Sequence, residues 1–466
     1  MGEGRRVGDE PLPALRGAAG PGRADRGEGE AEPGRAGRGE AGERRADQGE
    51  AGEGEGGAGR FGRAVAAVRA GPIGRAGPVG RAVGRVPAHW RYVLAVFVGS
   101  KIVLSLVGVI ALTAWEGVPG APPADETGMR TQQDEISGQR WLSLWFAWDS
   151  FLYDHLARRP LTGEWHDFGF PLLYPFLARP VGAILGGNTA LALLLVANVA
   201  FLLQLYFAYR LGERLGGDDA AARRFVRYLL LLPAAFLFQA ALTESLFLCL
   251  TLAAFYYAER RQWLLVGVIG YFLGLSRSVG FLVAVPLALV LLRQHGYRLA
   301  PRALLRYARL GWPLALLPAG WLTFMAFCRW KGGGWFAYKH AQEQGWAISV
   351  QNPFAVAYHG LTGGTDADAA RVWLAVAVVA VTVAGFRRAE LPYLVYTLIM
   401  VLVPLSMGPP VYKSLLRYLL AVFPVALVLA RWAGRATVDT WLTAALALLQ
   451  GTLFVVWLTY WTHFII

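Results

Sequence analysis

The stretch "VLAVFVGSKIVLSLVGVIALTA", residues 93–114, is long and apolar enough to cross a lipid bilayer. A membrane-crossing helix needs roughly 20 mostly apolar residues. Further apolar runs follow along the chain at 188–209, 223–240, 245–259, 263–275, 278–292, 310–329, 371–386, 391–407, 412–431 and 438–461. The sequence therefore predicts an all-α polytopic membrane protein, a bundle of about 11 transmembrane helices.

The composition supports this class. Of 466 residues, 55% are hydrophobic and 17% are charged, and the mean hydropathy is +0.39, which is outside the usual balance of soluble domains. The net charge is +13, but the arginines concentrate near the N-terminus and in short loops between apolar runs. That placement indicates membrane topology rather than nucleic-acid binding. Cys249 and Cys328 lie inside apolar runs and are expected to be small core residues.

The N-terminal segment differs from the rest of the chain. Residues 1–88 are nearly all Gly, Ala, Arg, Glu and Pro, with too little apolar surface to offset the entropy of ordering. We predict a disordered cytoplasmic tail in contact with water and membrane lipids, followed by a transmembrane domain over residues 89–466. The tail lacks the apolar centre of a signal peptide, so the first membrane helix is expected to act as the targeting signal.

Arginine-rich connections predict which helix ends face the cytoplasm. The basic segments are "AERRQ" at 258–262, "RQHGYRLAPRALLRYAR" at 293–309, "FRR" at 386–388 and "RWAGR" at 431–435. The opposite, non-cytoplasmic face then holds two long loops, 115–169 and 330–370. This alternation requires that residues 170–187 do not cross. The three prolines in that segment predict a half-inserted or interfacial helix.

The segment "WFAWDSFLYDHLARRP", residues 145–160, places an aspartate among aromatic residues. If residues 141–157 form one helix, a narrow apolar arc holds Trp141, Trp145, Trp148, Leu152 and Leu156, which predicts an interfacial amphipathic helix. Asp149 lies about 40° from Trp145 on this wheel, where a carboxylate is costly unless it is paired or used. We interpret Asp149 as a candidate general base, with a helix cap or an ion pair as the alternative. Asp154 is predicted to lie opposite, as a solvated charge.

Two more candidates lie at predicted helix ends on the same face. Glu244 starts a helix that Thr243 could cap, so a purely local role is an alternative. Arg277 interrupts apolar sequence between 263 and 292, at a typical insertion cost of at least ~2.5–3.5 kcal/mol. Arg277 therefore needs an anionic partner, either a carboxylate such as Asp149 or Glu244 or the phosphate of a ligand.

Lys413 and Arg417 are one helical turn apart in "VYKSLLRYLL". Both are predicted near the non-cytoplasmic start of a membrane helix. They are either snorkelling anchors or a second contact to a phosphate.

A metal site is the less favoured interpretation of the acidic and histidine residues in the first long loop. The candidate ligands are Asp149, Asp154, His155, Glu164, His166 and Asp167. Their spacing matches no recognised metal motif, and the helical wheel separates the first two aspartates. The sequence therefore predicts no metal and no cofactor.

Five blocks in order resemble a known family. They are "WDSFLYDHLA", "FPLLYPFLAR", "LPAAFLFQAALTESLFLCLTLAAFYYAER", "GLSRSVGFLVAVPLAL" and "SLLRYLLAVFPVALVLA". These blocks are similar to those of the PIG-V-like mannosyltransferases, integral membrane glycosyltransferases of the GT-C type. The resemblance covers residues 93–461 and excludes the N-terminal tail.

The resemblance implies transfer of a sugar, usually mannose, from a polyprenyl-phosphate donor on the non-cytoplasmic side of a membrane. That membrane is the cell membrane, or the endoplasmic reticulum in a eukaryote. The acceptor is a lipid, a glycan or a protein. The family's acidic base falls on Asp149, and its "TES" and "SR" blocks fall on Glu244 and Arg277. We also assign Tyr153, in the first block, to substrate binding, together with the Lys413 and Arg417 pair.

The sequence departs from the family in two places. Phe151 stands where the family often has tryptophan, and "SRSVG" replaces the common arginine-proline form. The main alternative function is a transporter or flippase for lipids or polyisoprenoids, and a non-catalytic membrane scaffold is a third. Transporters tend to place charge near the bilayer midplane on repeated halves, whereas the polar positions here gather at one face.

Overall fold

The computed structural model describes residues 86–119, 140–387 and 390–459. The chain divides into two units, Met1–Arg75 and Ala76–Ile466, and all the described residues belong to the second unit. The predicted disordered tail, 1–88, lies almost entirely outside the described residues. Its disorder therefore stays a prediction.

Helices make up the regular secondary structure of the described residues, which confirms the all-α prediction for this part of the chain. The helices are α1 (Ala88–Glu116), α2 (Arg140–Ser143), α3 (Asp149–Arg158), α4 (Leu173–Ile184), α5 (Thr189–Gly216), α6 (Asp219–Leu230), α7 (Glu244–Glu259), α8 (Trp263–Ser276), α9 (Ala284–Gln294), α10 (Pro301–Gly311), α11 (Leu316–Trp330), α12 (Ala337–Trp346), α13 (Pro353–Thr362), α14 (Asp366–Ala384), α15 (Leu391–Leu405), α16 (Leu415–Leu419), α17 (Phe423–Trp432) and α18 (Ala436–Leu458). Short 3₁₀ helices cover Trp165–Phe168, Ala235–Gln239, Gly280–Val283, Trp312–Ala315 and Pro409–Ser414.

Several helices have the length and apolar character that a membrane crossing needs. Within the described ranges there are 5: α1, α5, Pro301–Trp330 (α10 with α11), α14 and α18. A sixth is the pair Pro409–Leu419 and Phe423–Trp432 if the two halves, bent by 50°, count as one span. Three further apolar helices, α8, α9 and α15, are shorter. The structure thus supports a membrane protein, while the number 11 stays a prediction.

The predicted crossing at 223–240 is not a continuous helix. Helix α6 ends at Leu230, and the 3₁₀ helix Ala235–Gln239 follows after Pro233. Proline lacks the N–H that would continue the helical hydrogen bonds. The segment is apolar because it is packed inside the protein: Phe236 and Phe238 are fully buried.

The core is built around α7, in which nearly every residue is buried. Helices α5 and α8 pack along α7, and the buried side chains of these helices belong to one continuous cluster. Cys249 in α7 and Cys328 in α11 are both buried and unpaired, as the sequence predicts.

Helices α8 and α11 approach each other closely at glycines. A Cβ atom on Gly274 would lie 2.2 Å from the carbonyl oxygen of Leu317, and one on Gly320 would lie 2.1 Å from that of Tyr271. Small residues at such contacts let the two backbones meet, a common device in membrane helix packing. This contact fixes the C-terminal end of α8, which Arg277 directly follows.

The prediction of one amphipathic helix over 141–157 is wrong. Helix α2 ends at Ser143, and α3 begins only at Asp149, after Trp148 adopts a left-handed φ of 54°. The break turns Trp145 into the protein, where it is fully buried and stacks on Phe454. Trp145 therefore packs in the core, whereas Trp141 is 51% exposed, so the tryptophans do not share one helix face.

The proline-containing segment 170–187 forms helix α4, with Pro180 inside it. Its 12 residues span about 18 Å at the helical rise, less than the hydrocarbon thickness of a bilayer. This length agrees with a segment that does not cross, and its placement in the membrane stays a prediction.

Candidate functional site

Four charged side chains from distant parts of the chain meet in one cluster: Asp149, Glu244, Arg277 and Arg417. Three of them occupy helix ends. Asp149 and Glu244 are the first residues of α3 and α7, and Arg277 follows the last residue of α8. A helix N-terminus favours a negative charge, so the two carboxylates lie where their helices stabilise them.

Arg417 in α16 is the centre of this charged cluster. Its Nη1 donates a hydrogen bond to Asp149 Oδ2, and its Nε donates to Glu244 Oε1. Arg277 Nη2 lies 3.1 Å from the same Glu244 Oε1. Arg417 and Glu244 are 4% and 2% exposed, so neither charge has much access to water. Buried charges of this kind are tolerated when they are paired. The negative charges of the two carboxylates equal the positive charges of the two guanidinium groups, so the charged cluster has no net charge.

The charged cluster retains hydrogen-bonding capacity that the described residues do not fill. Glu244 Oε2 is buried and accepts no hydrogen bond from them. The side chains of Asp149 and Arg277 are 15% and 13% exposed, which makes them the most accessible members. Buried polar groups are nearly always paired, so this arrangement offers an acceptor oxygen and a partly free guanidinium to a ligand.

Tyr153, a predicted substrate-binding residue, lies beside the charged cluster. Its hydroxyl is 3.4 Å from Thr243 Oγ1, and its ring packs edge-on against Phe170 and Tyr174. Burial, followed by the negative charge of Asp149, raises the pKa of Tyr153, so the phenol stays protonated at neutral pH. Thr243 makes no side-chain cap for α7, contrary to the capping alternative for this position.

Aromatic residues line Arg277. Its guanidinium lies 5.3 Å from the ring centre of Tyr418 and 5.8 Å from that of Phe247, within cation–π range. Tyr338 in α12 approaches the same region, with its hydroxyl 3.1 Å from Ser278 Oγ, and burial raises the pKa of Tyr338 to about 12. Sequence reasoning missed these residues. Only Tyr418, adjacent to Arg417, carried a signal that could have identified it.

The prediction that Asp154 is a solvated charge is wrong. Asp154 is 8% exposed, and its Oδ1 accepts a hydrogen bond from Thr189 Oγ1. Its Oδ2 accepts one from Arg158 Nη2 at 2.6 Å. The helical wheel correctly separated it from Asp149, but the opposite face of α3 packs on α5 rather than facing water. Asp154 is thus a buried structural carboxylate.

Lys413 is exposed and forms no ion pair with the charged cluster in the part of the chain that the structure describes. Lys413 belongs to the 3₁₀ helix Pro409–Ser414, whereas Arg417 belongs to α16, which begins at Leu415. The two side chains therefore differ: Arg417 is buried, whereas Lys413 lies at the surface. A substrate contact for Lys413 stays a prediction.

A second polar network holds the segments that carry the two carboxylates. The ammonium group of Lys101 donates to Asn198 Oδ1 at 2.9 Å and to the carbonyl of Gln239 at 3.3 Å. Ser150 Oγ donates to the carbonyl of Ala241, which joins the start of α3 to the segment before α7. Sequence reasoning missed Lys101, although it is the lone charge of the first apolar run.

His155, His166 and Asp167 form a separate group of potential metal ligands. One ligand atom from each lies within 4.8 Å of the others. His155 lies on α3, six residues after Asp149, and the other two lie in the 3₁₀ helix Trp165–Phe168. Sequence spacing did not reveal the group because a loop of irregular structure separates its two parts.

A cavity of about 330 Å³ lies apart from these groups. None of its lining residues belongs to the charged cluster, and its charged lining consists of Asp218, Arg224, Arg387, Glu390 and Arg431. Arg387 and Arg431 lie in the connections 386–388 and 431–435, which are predicted to be cytoplasmic, and Glu390 lies just after the first of them.

No protein-family model and no curated protein matches the chain. Among the solved structures that are similar to the chain are two of an Archaeoglobus fulgidus oligosaccharyltransferase. The one in complex with Zn and sulfate shows 14% identity and a TM-score of 0.36 over 78% of this chain and 52% of that one. The one tethered with an acceptor peptide shows 13% identity and a TM-score of 0.36. The match covers 79% of this chain and 55% of that one. The chain spans about half the length of these structures, and a TM-score of 0.36 is too low to establish a shared fold or function.

Proposed function

We propose that this chain is an integral membrane glycosyltransferase that moves a sugar from a polyprenyl-phosphate donor to a hydroxyl group of an acceptor. The observation that carries the proposal is the charged cluster, in which Asp149 and Arg277 are partly exposed beside the buried Arg417–Glu244 pair. A transferase of this class needs a base for the acceptor and a cation for the departing phosphate, and the charged cluster offers both.

Arg277 is the proposed contact to the donor phosphate. One of its terminal nitrogens faces Glu244, and the rest of its planar fork forms no hydrogen bond with other described residues. Guanidinium groups bind phosphate oxygens in pairs of parallel hydrogen bonds. Negative charge grows on the phosphate as the bond to the sugar breaks, so a fixed cation there stabilises the transition state.

Asp149 is the proposed general base. In the reaction, the acceptor oxygen forms a bond to the anomeric carbon of the sugar and gives its proton to the Asp149 carboxylate. The bond from that carbon to the phosphate oxygen breaks, and the phosphate leaves with the electron pair. This single displacement inverts the anomeric centre and needs no second nucleophilic carboxylate of the kind retaining glycosidases use.

Glu244 and Tyr153 complete the proposed site on the sugar side. Glu244 Oε2 is buried without a hydrogen-bond donor among the described residues, and a sugar hydroxyl would supply one. The protonated phenol of Tyr153 can donate or accept near the same position. Arg417 keeps both carboxylates in place.

Mannose as the sugar and membership of the PIG-V-like family rest on the five sequence blocks, and we propose both on that basis. The proposed acceptor is a hydroxyl group of a lipid, a glycan or a protein. No specific observation favours the alternative function, transport of a lipid or polyisoprenoid.

The test is transfer by the purified protein. Wild type and the Asp149→Asn variant are reconstituted with polyprenyl-phosphate mannose and membrane lipids, and products are followed by mass spectrometry. Loss of a general base typically costs ~10²–10⁴-fold in rate, and we expect a loss of that order. Asp366→Asn is the matched control because it makes the same chemical change at an exposed carboxylate.

Transfer at the wild-type rate by Asp149→Asn would show that Asp149 is not the general base. Movement of labelled donor across the bilayer without transfer would instead favour the transporter.

A further inference from the structure

We propose that His155, His166 and Asp167 bind a zinc ion. Two of the chain's seven histidines contact each other here, with ring centres 5.9 Å apart and nearly perpendicular planes. One ligand atom from each of the three residues lies within 4.8 Å of the others. The proposal does not depend on the transferase function, because none of these side chains belongs to the charged cluster.

The carboxylate of Asp167 is already fixed in position. It is 2% exposed, and its Oδ2 accepts hydrogen bonds from the backbone N–H groups of Thr162 and Gly163, at 2.6 and 2.9 Å. The Thr162 hydroxyl donates to the same oxygen at 3.1 Å. These donors leave Oδ1 available as a ligand and orient it, which is the role of outer-shell hydrogen bonds around metal sites.

The side chains of His155 and His166 need only a small movement to reach the ligand distances of a zinc site. Zinc binds nitrogen and oxygen at about 2.0–2.2 Å in a tetrahedron, so ligand atoms lie about 3.3 Å apart. Both rings are partly exposed and can rotate to close the remaining distance. Glu164 is a candidate fourth ligand, since its Oε2 lies 3.1 Å from His166 Nε2 and its side chain is 64% exposed and free to turn.

Two imidazoles with carboxylates favour zinc over magnesium or calcium, which prefer all-oxygen sites. The bound ion would join α3 to the 3₁₀ helix Trp165–Phe168. Because α3 begins at Asp149, zinc would stabilise the helix that carries one residue of the charged cluster.

The test is zinc binding by the full chain, purified with a tag that contains no histidine and stripped with a chelator. Calorimetric titration with zinc chloride should show one ion per chain. His155→Ala and His166→Ala should each weaken binding by at least ~10-fold. His359→Ala, which removes an exposed histidine outside the group, should bind as wild type does. Magnesium chloride should not compete.

A second readout guards against misfolded variants. Zinc should raise the thermal unfolding temperature of wild type and of His359→Ala, but not that of His155→Gln, which keeps a polar side chain without an imidazole. Absence of zinc binding in wild type, or equal binding by wild type, His155→Ala and His166→Ala, would overturn the proposal.

Discussion

Arg417 shows how one side chain can hold a polar site together. It is buried, and it donates to a carboxylate from α3 and to another from α7. Each carboxylate would be costly at this position without the guanidinium, since an uncompensated buried charge typically costs about 3–5 kcal/mol. The ion pairs therefore tie the ends of two helices to α16, and they leave Arg277 as the cation with spare hydrogen-bonding capacity.

Arg277 provides the first prediction at this scale. Arg277→Lys keeps a positive charge near Glu244 but loses the planar fork, so it should fold while transfer and donor affinity both fall. Donor binding and turnover are measured at matched expression, with Arg329→Lys, an exposed arginine, as control. Wild-type donor affinity and turnover in Arg277→Lys would contradict a phosphate contact.

Asp154 provides the second prediction. In Asp154→Asn, the amide oxygen can still accept from Thr189, but the charge opposite Arg158 is lost. We expect the free energy of unfolding to fall by about 1 kcal/mol, with turnover per folded molecule unchanged. Thermal unfolding and transfer are measured on the same preparation. A variant that folds normally and is inactive would contradict a purely structural role for Asp154.

Residue chemistry explains which candidates the sequence could identify. Asp149, Glu244 and Arg277 are charges next to apolar runs, where burial demands a partner, and the structure brings all three together. The prediction for Asp154 is wrong because a helical wheel gives only the direction of a side chain. What packs on that face, here Thr189 of α5, depends on tertiary structure.

At the scale of elements, the contact between α8 and α11 determines where Arg277 lies. Gly274→Ala would place a methyl group against the backbone of Leu317, at 2.2 Å, so the helices must separate. We expect a lower unfolding temperature and reduced transfer. Gly99→Ala in α1 is the matched control, because no atom lies within 4 Å of its added Cβ. Equal stability of the two variants in detergent would contradict a role for this close approach.

Helix boundaries follow local signals where those signals are strong. Helices α7 and α8 begin and end within one residue of the predicted apolar runs, whereas α5 begins one residue after its run and continues to Gly216, seven residues past the predicted end. The prediction of one helix over 141–157 is wrong because hydrophobic periodicity cannot reveal a break such as the positive φ of Trp148. The prediction of a continuous crossing helix at 223–240 is wrong because an apolar sequence does not distinguish contact with lipid from contact with a protein core.

At the scale of the whole molecule, the sequence predicts the class and a topology. The described residues confirm helices and several spans of membrane length. The count of 11 assigns a crossing to every apolar run, including short helices such as α9 and the bent pair α16 and α17. Whether these short helices cross depends on neighbours that shelter their ends, and hydropathy alone does not contain that information.

The topology itself provides the last prediction. Cys249 and Cys328 are buried and small, so replacing both with alanine gives a cysteine-free background. Single cysteines are then placed at exposed positions: Pro160 and Gln344 in the predicted non-cytoplasmic loops, and Ala300 in a predicted cytoplasmic one.

Because arginine-rich loops stay in the cytoplasm, an impermeant maleimide added to intact cells should label the first two and not the third. Labelling of all three after the membrane is opened is the control for reactivity. Asp149 of the charged cluster is the first residue of α3, and this helix ends at Arg158, two residues before Pro160. The reverse pattern would therefore place Asp149 on the cytoplasmic side and contradict transfer on the opposite face.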